Sequence, residues 1–232
     1  MRGRRKGKEA APKVESPMAA ALSAVEKVAL PVADPKASAP ADEQGAPAAE
    51  PAVEDAATAP LSPAAARLAR AEELLGAGSY VEAVDQFHAA LAADPSSIAA
   101  MLGLGMTFLA QAQYDGAEKE FRRAMKVAPN HLELNYQLGL TLYRRGVYAG
   151  AAQQLRRVIE LDKEHVLAHV VLGEALNQIG DTDAAIDALE AALVYQPDNG
   201  KAFYALGIAY DRKGQHDRAA EMYRRSRETG GR

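Results

Sequence analysis

Beyond residue 63 the apolar and small residues fall into columns that recur every 34 residues. Pro95 and Pro129 lie 34 apart, Pro197 lies twice that distance further on, and Lys163 takes the slot between them. Placing these residues at position 32 of a repeat gives five units, beginning at Ala64, Ile98, Leu132, Val166 and Gly200. Position 7 is then Leu104, Leu138, Leu172 and Leu206, with Arg70 in the first unit; position 8 is Ala71, Gly105, Gly139, Gly173 and Gly207. Position 20 is alanine in every unit, and position 24 is Phe87, Phe121, Leu155, Leu189 and Tyr223. This pattern predicts two antiparallel helices per unit. Small residues at positions 8 and 20 let the backbones approach, large apolar ones at 7, 11 and 24 fill the gap, and the proline at 32 helps end the second helix. Gly78, Gly146, Gly180 and Gly214 relieve the tight turn in four of the hairpins. A single hairpin cannot bury its apolar face, so the five must stack.

These columns resemble the tetratricopeptide repeat, and the resemblance covers residues 64–232. It implies an all-α fold, a right-handed α-solenoid of five hairpins. The ends depart from the pattern. Arg67 and Arg70 replace apolar residues in the first unit, as a solvent-facing cap would require. In the last unit Ser226 and Arg227 stand where earlier copies are small or apolar, so the final helix, with Arg218, Arg224 and Arg225, is expected to close the array or to meet another subunit.

Residues 1–63 read differently. Frequent prolines and few large apolar side chains between Ala10 and Pro63 predict a disordered tail. Within it, Leu22, Val25 and Ala29 recur at helical spacing in the segment Met18 to Leu30, enough for a transient helix or docking motif at most. The tail opens on a basic tip, Arg2, Arg4, Arg5, Lys6 and Lys8, although the whole chain carries a net charge of −4. A basic tip on an acidic body argues against general nucleic-acid binding. It leaves a membrane-surface or nucleic-acid adaptor acting through the tip alone as an alternative, with weak contact of about 1 kcal/mol for each basic residue at an anionic bilayer. No apolar run of transmembrane length and no signal-peptide pattern is found, so the expected location is cytoplasmic, with a membrane-peripheral variant through the tip.

The chemistry on offer is sparse. Zero cysteines exclude disulfides and thiolate sites. His165 and His169 are four apart and could share a helical face, but no third or fourth metal ligand accompanies them. Gly103-Leu104-Gly105 follows no predicted strand and lacks the residues of a phosphate loop. No catalytic residue, cofactor or metal is therefore expected, and the chain reads as a non-enzymatic scaffold for a protein or peptide partner, with self-assembly as one version.

The resemblance implies that positions 2, 5, 9, 12 and 13 of each first helix line a concave groove. Helix 98–110 is apolar nearly all round, more than hairpin packing by Met101, Leu104, Gly105 and Phe108 requires. Leu102, Met106 and Leu109 form the surplus stripe. Together with Tyr136, Leu140, Tyr143, Val170, Asn177, Tyr204 and Ile208 they make the expected groove floor, suited to an amphipathic helix or extended apolar peptide. The carboxylate clamp of chaperone-binding relatives is not supplied by Leu68, Glu72, Gly103, Glu133 and Gln137, which stand in its slots.

Overall fold

The computed structural model describes residues 62–230, and these form ten helices and no strand. The basic tip and the Met18 to Leu30 segment lie outside the described residues. In chain order the helices are α1 (Pro63–Gly76), α2 (Tyr80–Ala93), α3 (Ile98–Ala110), α4 (Tyr114–Val127) and α5 (Leu132–Arg144), followed by α6 (Tyr148–Leu161), α7 (Val166–Ile179), α8 (Thr182–Tyr195), α9 (Gly200–Arg212) and α10 (His216–Glu228). Each helix packs on its neighbours in sequence, and each odd helix also touches the next odd one. The odd helices thus form one layer and the even helices the other.

The glycine column explains why the hairpins are so close. A Cβ added to Gly105 would lie 2.4 Å from the Phe121 ring, one at Gly173 would lie 2.4 Å from Leu189, and one at Gly207 would lie 2.4 Å from Tyr223. Between hairpins the same device recurs, because a Cβ at Gly103 of α3 would lie 2.3 Å from Phe87 of α2. Phe87, Phe121, Leu155 and Leu189 are accordingly buried. Four of the five hairpin turns carry a glycine with positive φ, from 72° to 91°, at residues 78, 146, 180 and 214. The second hairpin has Ala112 there instead, at φ 57°, a left-handed conformation that costs an L-residue about 1–2 kcal/mol.

Every odd helix starts on a side-chain cap. Ser62, Ser97, His131, His165 and Asn199 accept from the backbone N–H three residues on, at 3.2, 3.3, 3.4, 3.1 and 2.9 Å. The two histidines accept through Nδ1 and so stand in for serine or asparagine. His169 is engaged elsewhere: its Nε2 lies 2.9 Å from the Lys163 carbonyl oxygen and its ring stacks on Tyr195. Asn135, one repeat earlier, donates to the equivalent carbonyl of Pro129 at 3.0 Å. His165 and His169 are therefore a cap and a loop tie, and no cluster of three or more His, Asp or Glu side chains with metal-binding geometry occurs among the described residues.

The ends follow the sequence. In α1 Arg67 and Arg70 are exposed and Arg70 pairs with Glu73 at 2.8 Å. At the far end the guanidinium of Arg225 sits 4.9 Å above the Phe203 ring, and Ser226 donates to the Gly200 carbonyl at 2.9 Å. The last helix thus covers α9 with long basic side chains and a buried hydroxyl where earlier hairpins use apolar residues.

Candidate peptide-binding face

Positions 5 and 12 of an odd helix are seven residues apart and so share one flank, which the structure turns toward the next odd helix. The consequence is visible in burial. Leu102 and Leu109 of α3 are 6% and 9% exposed, and Val170 and Asn177 of α7 are 3% exposed. Val170 joins a cluster with Ala202, Ala205 and Leu206 of α9, and Asn177 donates through Nδ2 to the Ala205 carbonyl at 3.0 Å. Val170 and Asn177, expected on the groove floor, tie α7 to α9 instead, and Leu102 and Leu109 are covered to the same degree. In α5 the same flank carries Tyr136 and Tyr143, which are too large to be covered fully and stay half-buried. In α9, the last odd helix among the described residues, Tyr204 is 45% exposed.

What remains open on the inner layer is the line of position 9, together with positions 2 and 13. Position 9 reads Glu72, Met106, Leu140, Glu174 and Ile208, and all five are half-buried. Of the residues expected in the groove, Met106, Tyr136, Leu140, Tyr143, Tyr204 and Ile208 therefore keep accessible surface. The register already gives Glu174 as a groove position, whereas sequence reading missed Glu72 as part of that row. The signal was present in the register, since both carboxylates stand in the column of Met106, Leu140 and Ile208.

The carboxylates sit in poor solvent. Burial pushes Glu72 above the usual carboxylate range, and its Oε1 has no hydrogen-bond partner. Burial also raises Glu174, against the lowering influence of the Tyr143 hydroxyl and of Lys201. Tyr143 in turn is pushed up to about 12, by burial first and then by the negative charge of Glu174. Tyr136 rises for the same leading reason, with Glu133 adding to it. The inner face is thus an apolar and aromatic strip in which two carboxylates are incompletely solvated.

This arrangement fixes the sign of a pH effect. A carboxyl raised by folding contributes stability that is complete below its unfolded value, near 4.5, and is lost as pH rises through the folded value. Glu174→Gln removes the desolvated charge but keeps the shape. Its melting temperature is expected to match the wild type near pH 4 and to exceed it at pH 7. A variant that melts lower than wild type at pH 7 would show that Tyr143 and Lys201 outweigh burial.

A row of stacked helical hairpins with an open inner face defines the class of helical-repeat scaffolds for protein interaction. Two family models of the tetratricopeptide repeat match residues 74–140 and 170–231, together more than half of the chain. A third, of the anaphase-promoting complex, cyclosome, subunit 3, matches residues 110–192. The chain is a tetratricopeptide-repeat protein. Among solved structures it is similar to MamA (MSR-1), at 26% identity and a TM-score of 0.64 over 72% of this chain and 96% of that one. It is also similar to YrrB, described as a TPR protein with an unusual peptide-binding site, at 25% identity and a TM-score of 0.63 over 70% of this chain and 84% of that one. No curated protein matches the chain. No described helix is long and apolar enough to cross a membrane.

Proposed function

We propose that the protein is an assembly scaffold whose inner face holds an apolar or amphipathic segment of a partner protein. The observation that carries this reading is the row of Met106, Leu140 and Ile208 beside Tyr136, Tyr143 and Tyr204. These are large side chains with accessible surface, on the layer where Leu102, Leu109 and Val170 are already buried. The accessible part of such an apolar strip gains by being covered. Met106 and the tyrosines suit adaptable anchoring, since methionine fills irregular gaps and tyrosine adds a polar tip to a large apolar body. The likeness to YrrB supports a peptide ligand.

The test is affinity purification from native lysate by the wild type and by Met106→Glu/Leu140→Glu, both first shown by circular dichroism to be folded. Both positions are half-buried, so the substitutions spare the core. Retention of the specific partner is expected to fall at least about tenfold, the loss of about 1.4 kcal/mol. Undiminished recovery of the same partners by the folded variant would move the function off this face.

A further inference from the structure

On the reading of the inner face as a peptide site, on which this inference rests, position 9 supplies the chemistry of the ligand. It runs carboxylate, apolar, apolar, carboxylate, apolar along the array: Glu72, Met106, Leu140, Glu174, Ile208. The two carboxylates bracket the apolar pair, one on α1 and one on α7.

Neither carboxylate is held in a strong ion pair. Glu72 has a buried oxygen, Oε1, with no hydrogen-bond partner, while Arg70 pairs with the neighbouring Glu73. Glu174 faces the Tyr143 hydroxyl and feels Lys201 at a distance, without ion-pair contact. A ligand laid over this strip removes the water that still reaches both groups. If the ligand is neutral or acidic at those two points, covering the strip strands two carboxylates, and a buried charge without a partner is strongly unfavourable. If it carries a cation at each point, the same covering completes two charge-assisted contacts. The row therefore discriminates through what it rejects as much as through what it holds.

We propose that the ligand is a segment of a partner protein with an apolar stretch flanked on both sides by lysine or arginine, the apolar stretch seated on Met106 and Leu140 and the two basic residues on Glu72 and Glu174. Of the two anchors Glu72 is the stronger, because Lys201 already meets part of the demand of Glu174.

The experiment is selection of random 16-residue displayed peptides on the full chain, in four forms: wild type, Glu72→Gln/Glu174→Gln, Glu72→Lys/Glu174→Lys, and Met106→Glu. The wild-type pool is expected to favour lysine and arginine over aspartate and glutamate at least fivefold around its apolar residues. The isosteric glutamine variant, which keeps the fold, should lose that preference, and the lysine variant should reverse it. An unchanged basic preference on the glutamine variant overturns the inference while leaving the peptide site standing. Peptides retained equally by Met106→Glu bind elsewhere and overturn the site itself. A synthetic peptide of residues 13–30, whose Lys13 and Lys27 flank an apolar stretch, serves as competitor. Its displacement of the selected peptides at low micromolar concentration would place the chain's own segment in the groove and overturn the assignment to a partner.

Discussion

Phe121→Ala is expected to destabilise the array by about 3–5 kcal/mol, the range for removing a buried phenylalanine and leaving a cavity. Phe121 is fully buried in α4 and its ring lies against the bare backbone of Gly105, where no side chain can move in to fill the space. The same column offers an internal control. Tyr223 packs on Gly207 in the same way but lies half-buried in the last hairpin, its hydroxyl bonded to Asp211 at 2.9 Å. No described hairpin covers it, so Tyr223→Ala should cost less, about 1–2 kcal/mol, in the ordinary range for partly exposed sites. Position in the stack matters as well, because the second hairpin has interfaces on both sides and its loss uncouples the units it joins. Urea unfolding followed by helical circular dichroism measures both. A terminal substitution as costly as the central one would contradict this account of the core.

The second large effect is expected at Gly173. Its Cβ position lies 2.4 Å from Leu189 Cγ and within 3.0 Å of both Leu189 methyls, and Leu189 is fully buried with nowhere to turn. Gly173→Leu gains about 1 kcal/mol of helix propensity from losing a mid-helix glycine. Overpacking costs typically about 1–3 kcal/mol, and the backbones of α7 and α8 must separate here. A net loss of about 2 kcal/mol or more is expected. The pair then separates sterics from propensity: Leu189→Ala alone leaves a cavity, but Gly173→Leu/Leu189→Ala moves the same side chain from one helix to the other. The double variant should be more stable than the sum of the singles by at least about 1 kcal/mol, the coupling expected of residues in direct contact. Additive singles would mean that the close approach of these helices does not depend on the glycine.

Both effects are legible in the amino-acid sequence, because they belong to a column that pairs a small residue with a large one inside one 34-residue unit. The turns are legible for the same reason in the four hairpins that carry a glycine, whereas the positive φ of Ala112 in the remaining one comes from the structure. The caps are half legible. Ser97 and Asn199 stand in the column of His131 and His165, yet histidine is an uncommon cap, and the spacing of His165 and His169 instead raises the question of a metal. Geometry decides between these readings, since Nδ1 of His165 faces a helix N–H and Nε2 of His169 faces a loop carbonyl.

The sequence by itself determined the repeat, the hairpins and their phase, because each rests on contacts between residues close along the chain and restated five times. Which inner-layer side chains meet solvent was decided only by the tertiary structure. That depends on how closely one odd helix lies on the next, a relation between units that no single unit encodes. Stacking covers Leu102, Leu109, Val170 and Asn177, leaves Tyr204 partly exposed in the last described hairpin, and keeps Glu72 and Glu174 accessible beside Met106 and Leu140 on the line that stays open.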